Sequence, residues 1–330
     1  MAVDIVKLEI NQKQRISLRA RIFANVENLF QFAQPYASLV NFILRWFGKI
    51  IALFLGTHSK RSFPILQRQT FSSWYKISDK KTISNGKSNQ IVFFHDTFME
   101  YTEAHIGQAA IKVLDTAGFE TIILYGKCDS GRPALSNGFL DDAVKLAHHN
   151  IELLSPYAKR GIPIVGCEPS VMAMLVNEYR DLVPGESAQS VAMAALMLDE
   201  LIVREVERGN IYLRFDNKPR QVLFHGQCHQ KAIFGTKNTH KMLRLIPNLT
   251  VKEINASCCG MAGSFGYEKE HYDQSIQLAE MSLAPTIRSA DPTTIICAMG
   301  TTCRDQIKHT TSRIAVHPIE ILADALVSTI

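Results

Sequence analysis

From residue 91 to the C-terminus, apolar positions fall into short runs that alternate with stretches of helical spacing. IVFFHDTF, starting at Ile91, is apolar on both faces of a strand and runs into a turn. HIGQAAIKVLDTAG has helical period, and FETIILY is a second strand. The loop KCDSGRP leads to a helix around LDDAVKLAHHNIELLSPYAK and a strand IPIVGCEPS. The order then repeats: strand and turn QVLFHGQCH, helix NTHKMLRLIP, strand LTVKEIN, loop SCCGMAG, and EKEHYDQSIQLAEMSLAPTIRSA as one long helix. The strand TTIICAMG follows, and TTCRDQI opens a last helix. Strands that are short and apolar on both faces belong to a largely parallel sheet covered by helices. The expected fold is therefore α/β: two pseudo-symmetric βαβ-type lobes with largely parallel sheets, preceded by a helical N-terminal arm. The expected boundaries are an arm over 1–76, a polar linker over 77–90, lobes over 91–185 and 221–330, and a connecting segment over 186–220. Within that segment ESAQSVAMAALMLDELIVREVERG (186–209) reads as a single helix.

The arm contains the most apolar stretch, ASLVNFILRWFGKIIALFLG (37–56). Its length approaches that of a membrane span, but Arg45 and Lys49 sit at its centre, where charge is costly in lipid. They are four residues apart and share a face, while Ile43, Phe47, Ile50, Ile51 and Phe54 cover much of the rest. Three readings stay open: a helix packed on its own domain or on a partner, a helix lying in a membrane surface, and a span. The start, MAVDIVKLEI, is too polar for the apolar region of a secretory signal, which points to a cytoplasmic setting.

Charge sharpens the distinction between arm and lobes. The first 90 residues carry 14 Lys and Arg against 4 Asp and Glu, and the remainder carry 22 against 27. A basic arm suits anionic lipid, an acidic protein partner or nucleic acid. No interleaving of aromatic and basic residues supports the last, and no nucleic-acid partner is expected.

The candidate chemistry lies in the seven cysteines, an odd number at irregular spacings that argues against a secreted disulfide scaffold. Setting the two halves in register brings VFFHDTF (92–98) onto VLFHGQC (222–228), DSG (129–131) onto CCG (258–260), and EPSV (168–171) onto GTTC (300–303). The intervening lengths are 30 and 40 residues in the first half and 29 and 43 in the second. The second half thus has cysteines at equivalent strand-end loops: Cys228, Cys258, Cys259 and Cys303. The first half has Phe98, Asp129, Ser130 and Val171 there. Such loops converge on one edge of a parallel sheet, where ligands bind. Four thiolates form a soft site for an iron–sulfur cluster or zinc, with inert buried thiols as the alternative. Gly260, Ala262, Gly263 and Ser264 leave room for backbone N–H groups near a cluster. Cys297 falls within a strand and reads as core; Cys128 and Cys167 have no partner set and read as structural. Among nearby histidines, His225 and His271 suit hydrogen bonding or capping, and His229 is kept as a candidate ligand or as a hydrogen-bond donor to one. Lys231, Arg304 and Gln306 are candidates to balance the site's negative charge.

HGQCHQKA, SCCGMAGSFGYEKEHYD and GTTCRDQI resemble the CCG (cysteine-rich) domain of iron–sulfur oxidoreductases. HDTFMEYTEAHIGQAA, GRPALSNGFLDDA and RGIPIVGCEPS extend the likeness along the chain, towards the C-terminal part of FAD-linked oxidases of 2-hydroxy acids such as D-lactate and glycolate. Where the family commonly has CCGRP and EPSC, this chain has DSGRP (129–133) and EPSV (168–171). Gly300 also replaces the first member of a CxxC seen in some relatives. The resemblance implies a [4Fe-4S] cluster on Cys228, Cys258, Cys259 and Cys303, favoured over a five-cysteine type. It implies FAD only on a partner domain or chain, with ferredoxin-type motifs, and an electron-transfer role in the cytoplasm or at the periphery of the inner membrane. VDIVKLEI resembles the segment after a last ferredoxin cysteine, so the chain is expected to be a terminal or separately encoded piece of a dehydrogenase. A zinc-stabilised scaffold and an inactive fragment are the alternatives.

Overall fold

A computed structural model describes residues 17–78 and 89–327. Among these residues are two four-stranded, all-parallel sheets with the same strand order. In the first, β2 (Glu120–Ile123), β1 (Gln90–Phe93), β3 (Ile164–Gly166) and β4 (Ala195–Met197) lie side by side. In the second, β6 (Leu249–Glu253), β5 (Arg220–His225), β7 (Ile295–Ala298) and β8 (Ala315–Val316) repeat that arrangement. This agrees with the expected α/β class and its internal repeat.

Alternation along each strand divides the core. Ile91 and Phe93 of β1 and Val222, Phe224 and Cys297 of β5 and β7 point into one cluster shared by both sheets. Their neighbours Val92, Leu223, Ile296 and Ala298 face separate outer clusters. Helices Ala104–Thr116 and Pro318–Ala325 pack on each other within the shared layer. The central strands are covered on both faces and are apolar where they are buried, while the edge strand β6 leaves Thr250 and Lys252 exposed.

Two expectations require correction. The stretch 186–209 is not one helix but two, Glu186–Ala194 and Leu198–Glu207, separated by β4. Leu196 fills the shared core while Ala195 and Met197 fill the outer one, so pairing with β3 outweighs local helix preference. The expected long helix after CCG is broken into Lys269–His271, Tyr272–Glu280 and Leu283–Arg288. Pro285 lacks the N–H that would bond the Met281 carbonyl, and the chain restarts after Ser282 at φ −156°. The expected start of the arm and most of the expected linker lie outside the described residues.

The arm's helix Ala37–Leu55 buries only Ala37 and Ala52. Phe42, Trp46, Phe47, Ile50, Leu53 and Phe54 are each more than half exposed. Only a narrow stripe of this helix, including Ala37, Val40, Asn41 and Ala52, packs on its own domain, and its broad apolar face is exposed. The residues on either side of it are firmly tied. Phe30 packs edge-on against Phe98 and Tyr101 of the first lobe. Arg61 donates to the Gly266 carbonyl at 2.8 Å, to Ser275 at 2.9 Å and to Gln306 at 2.5 Å in the second lobe.

Candidate metal centre

β5 ends at His225, whose side chain is wholly buried, and the chain then turns through Gly226 and Gln227 to Cys228. β6 leads to the loop holding Cys258 and Cys259. Gly260, at φ +89°, follows them, and a side chain there would meet the Ser275 carbonyl at 2.3 Å. Only glycine fits this position, so the turn that presents both thiols depends on it. β7 leads to Gly300, where a Cβ would press to 2.6 Å from the Gln227 amide. Cys303 sits in the first turn of helix Thr301–Thr311, whose positive end favours a thiolate.

These loops bring the four predicted cysteines into contact. The Cys259 and Cys303 sulfurs lie 3.3 Å apart, both buried, Cys258 is half-buried and Cys228 lies at the exposed rim. The four thiols are electrostatically coupled. Hydrogen bonds from the Cys228 thiol and then from Cys259 pull Cys258 far below the usual thiol range. The bond with Cys259 takes Cys303 down to about 6, with His225 adding to the effect. The partners move the other way: Cys228 is raised first by its bond to Cys258, and Cys259 by its bonds to Cys258 and Cys303. The four thiols titrate as a coupled set, and uptake of a cation would release their protons. The remaining thiols are not part of it. Burial raises Cys128 to about 12 and holds Cys167 far above its usual value, and Cys297 is buried in the shared core.

His225 joins the set more closely than the sequence suggested. One ligand atom each from His225, Cys259 and Cys303 lie within 4.8 Å of one another. Neither nitrogen of the buried ring has a hydrogen-bond partner of normal geometry. A soft donor set with an orphaned imidazole fits a metal or iron–sulfur group, because buried polar atoms normally find partners. The sequence signal for His225 was its place at the end of β5, in register with His95. His229 stays beside Cys228, its Nδ1 3.8 Å from that sulfur, and burial lowers its pKa. His271 is bound instead to Glu268 at 2.8 Å.

The proposed charge-balancing residues are occupied elsewhere. Lys231 donates to the Ala256 carbonyl and Gln306 to Ser275. Arg304 forms a forked pair with Glu103 at 3.1 and 2.7 Å, which joins the lobes directly beside Cys303. Glu168 of the first lobe completes that junction. Its carboxylate accepts from Gln227 at 2.7 Å and from the Thr301 N–H at 3.0 Å, so it supports two of the three cysteine-bearing turns.

Asp96 lies in the same acidic junction, accepting from the N–H groups of Phe98 and Met99 at 2.9 and 3.0 Å. Burial, and then the Glu168 charge, push its carboxyl up to about 7. The folded chain holds this proton after the unfolded chain has released it. The stabilising contribution is therefore complete below about pH 4 and lost as pH rises towards 7. Asp96→Asn keeps the helix-capping acceptor and removes this dependence. Relative to the parent, the variant should gain stability as pH rises from 4 to 7, reaching roughly 2–4 kcal/mol. Urea midpoints of both chains at pH 5, 6, 7 and 8 measure it; a constant difference would contradict the assignment.

Comparison with known proteins places this geometry in context. Residues 222–308 match the family model of the CCG cysteine-rich domain. The chain is 27% identical over 317 residues to a subunit of the anaerobic glycerol-3-phosphate dehydrogenase of Escherichia coli, covering 94% of this chain and 78% of that protein. It is 25% identical over 275 residues to D-2-hydroxyglutarate dehydrogenase of Haemophilus influenzae, covering 80% of this chain but 26% of that protein. Lactate utilization protein A of an Exiguobacterium species is 24% identical over 192 residues, 56% of this chain and 75% of its own length.

Proposed function

We propose that this chain, whose second lobe is a CCG cysteine-rich domain, is an iron–sulfur electron-transfer module of a FAD-linked dehydrogenase. The observation that carries the reading is the convergence of four thiols at the second sheet's edge, with the Cys259 and Cys303 sulfurs 3.3 Å apart and buried. Cys228, Cys258, Cys259 and Cys303 would hold a [4Fe-4S] cluster. Such a group supplies one-electron steps between a two-electron flavin and a further acceptor. The flavin belongs to a partner chain or domain that also carries ferredoxin-type clusters. Its substrate class is a 2-hydroxy acid or a similar alcohol, in keeping with the names of the relatives. The chain alone is expected to oxidise no such substrate.

The exposed helix Ala37–Leu55 is the proposed membrane-surface element, with Arg45 and Lys49 meeting lipid phosphates on the cytoplasmic side of the inner membrane. The purified chain should float with vesicles rich in anionic phosphatidylglycerol and float less as salt rises. Phe47→Glu with Ile50→Glu should abolish flotation, and persistence of binding in that variant would count against the helix.

A second reading, a zinc site in a non-redox scaffold, is favoured by one observation. The donor atoms of His225, Cys259 and Cys303 lie within 4.8 Å of one another, near enough to close on a single tetrahedral ion. Anaerobic purification with iron, acid-labile sulfide and zinc assays separates the two. About four iron and four sulfide per chain, with broad absorption near 400 nm, supports the cluster. One zinc in a colourless chain supports the scaffold, and no metal overturns both.

A further inference from the structure

The two lobes place a histidine at the same point, His95 after β1 and His225 at the end of β5, but surround it differently. In the first lobe His95 Nε2 lies 3.3 Å from a Glu100 carboxylate oxygen, and that carboxylate is itself fixed by the Ser72 N–H and hydroxyl. The positions matching Cys259 and Cys303 are Ser130 and Val171, neither of which carries a thiol. In the second lobe the position matching Glu100 is Gln230, and its amide turns away to Thr239 at 2.7 Å. There the imidazole has no carboxylate, and the Cys259 and Cys303 sulfurs lie within 4.8 Å of the nitrogen it offers. The carboxylate partner is present where the thiols are absent, and absent where they are present. Burial separates the donors into two tiers: His225, Cys259 and Cys303 are 0%, 4% and 2% exposed, while Cys258 and Cys228 lie progressively nearer solvent.

We infer that His225 is a nitrogen ligand of the metal centre, bound in the buried tier with Cys259 and Cys303. This rests on the reading that the site holds a metal, but not on which metal. It makes the donor set mixed nitrogen and sulfur, with His225 taking the place that the exposed Cys228 holds in the four-cysteine reading. Replacing an anionic thiolate by a neutral imidazole leaves the centre less negative. In an iron–sulfur group that change raises the reduction potential, as histidine ligation does in Rieske centres. With zinc the same set is the Cys3His type. The exposed Cys228 is then the donor whose replacement disturbs the centre least.

The full chain, labelled with 15N-histidine, reconstituted anaerobically with iron and sulfide and reduced, tests this by pulsed electron paramagnetic resonance. A nitrogen coupling of the size given by a bound imidazole, altered by the label, is expected in the parent chain. It should persist in His229→Gln and vanish in His225→Gln. His225→Cys should restore metal uptake with no histidine coupling and a lower potential. Should His225→Gln fail to fold, the labelled parent chain still decides, because only weak couplings insensitive to the label would overturn the assignment. A coupling lost in His229→Gln instead would do the same. If the chain takes up no iron, cobalt(II) added to the apo chain provides the parallel test. Ligand-field bands of a mixed nitrogen–sulfur set that move to longer wavelength in His225→Cys support the assignment, and bands already of the all-sulfur type overturn it. Uptake of neither metal would sink the metal-site reading itself and this inference with it, a result distinct from an all-sulfur centre.

Discussion

A Cys259→Ser chain should purify without the visible chromophore and with bound metal reduced at least tenfold relative to the parent. Cys259 is buried, lies 3.3 Å from the Cys303 sulfur, and links it to Cys258, so it is the middle member of the sulfur set. A hydroxyl is nearly the same size but is a hard, weakly acidic donor that does not replace a thiolate toward iron or zinc. The fold should survive, since the side-chain volume hardly changes and the Cys303 sulfur remains as a partner. Cys297→Ser is the matched control. That thiol is equally buried but belongs to the shared core, and burial keeps it protonated. It should cost stability while leaving metal content unchanged. Iron, sulfide and zinc assays on the three chains, with circular dichroism to confirm folding, measure both outcomes. Equal metal loss in the two variants would mean that metal content reports folding rather than ligation.

Arg304→Met should destabilise the chain by about 3 kcal/mol, and Glu103→Gln in the same chain should recover most of that loss. The guanidinium is buried and forks onto Glu103, with further bonds to the Met299 carbonyl at 2.6 Å and the Thr301 hydroxyl at 3.1 Å. Burial alone would raise the Glu103 pKa, but the Arg304 charge and hydrogen bonds hold it below its usual value. Removing arginine leaves that carboxylate buried, unpaired and close to Glu168. Breaking one side of such a pair is costly, whereas removing both charges can be nearly neutral. Urea unfolding of the single and double variants gives the coupling directly. If the double variant were no more stable than Arg304→Met, the loss would lie in the carbonyl bonds and not in the ion pair.

Much of the fold is legible in residue order. Strands apolar on both faces, separated by helical periods, specify parallel sheets, because only a strand covered twice needs no polar face. The repeat was legible because each half preserves the same turns at nearly equal separations. The two failures differ in cause: Pro285 was a local break signal within 268–290, whereas the strand at 195–197 was not. Ala195–Met197 has no strand signature of its own and becomes one only through the edge of β3. A sequence with good helix formers on both sides cannot announce that.

The convergence of the four cysteines was legible because their spacing matches strand ends that meet at one sheet edge. His225 was visible as a residue, but its role depends on what surrounds it. The same histidine in register, His95, lies against a carboxylate, and nothing local to either segment distinguishes the two. Arg304 looked like a charge-balancing group and is instead committed to Glu103, 201 residues away. By itself, the sequence determined the sheet class, the repeat and the four thiols, all of which follow from local period and residue chemistry. Tertiary structure alone decided how closely the thiols approach, which imidazole joins them, and how a carboxylate of the first lobe supports two of the three cysteine-bearing turns. Those properties depend on distances and burial between segments far apart in the chain, and the first lobe keeps that supporting role without a cysteine set of its own.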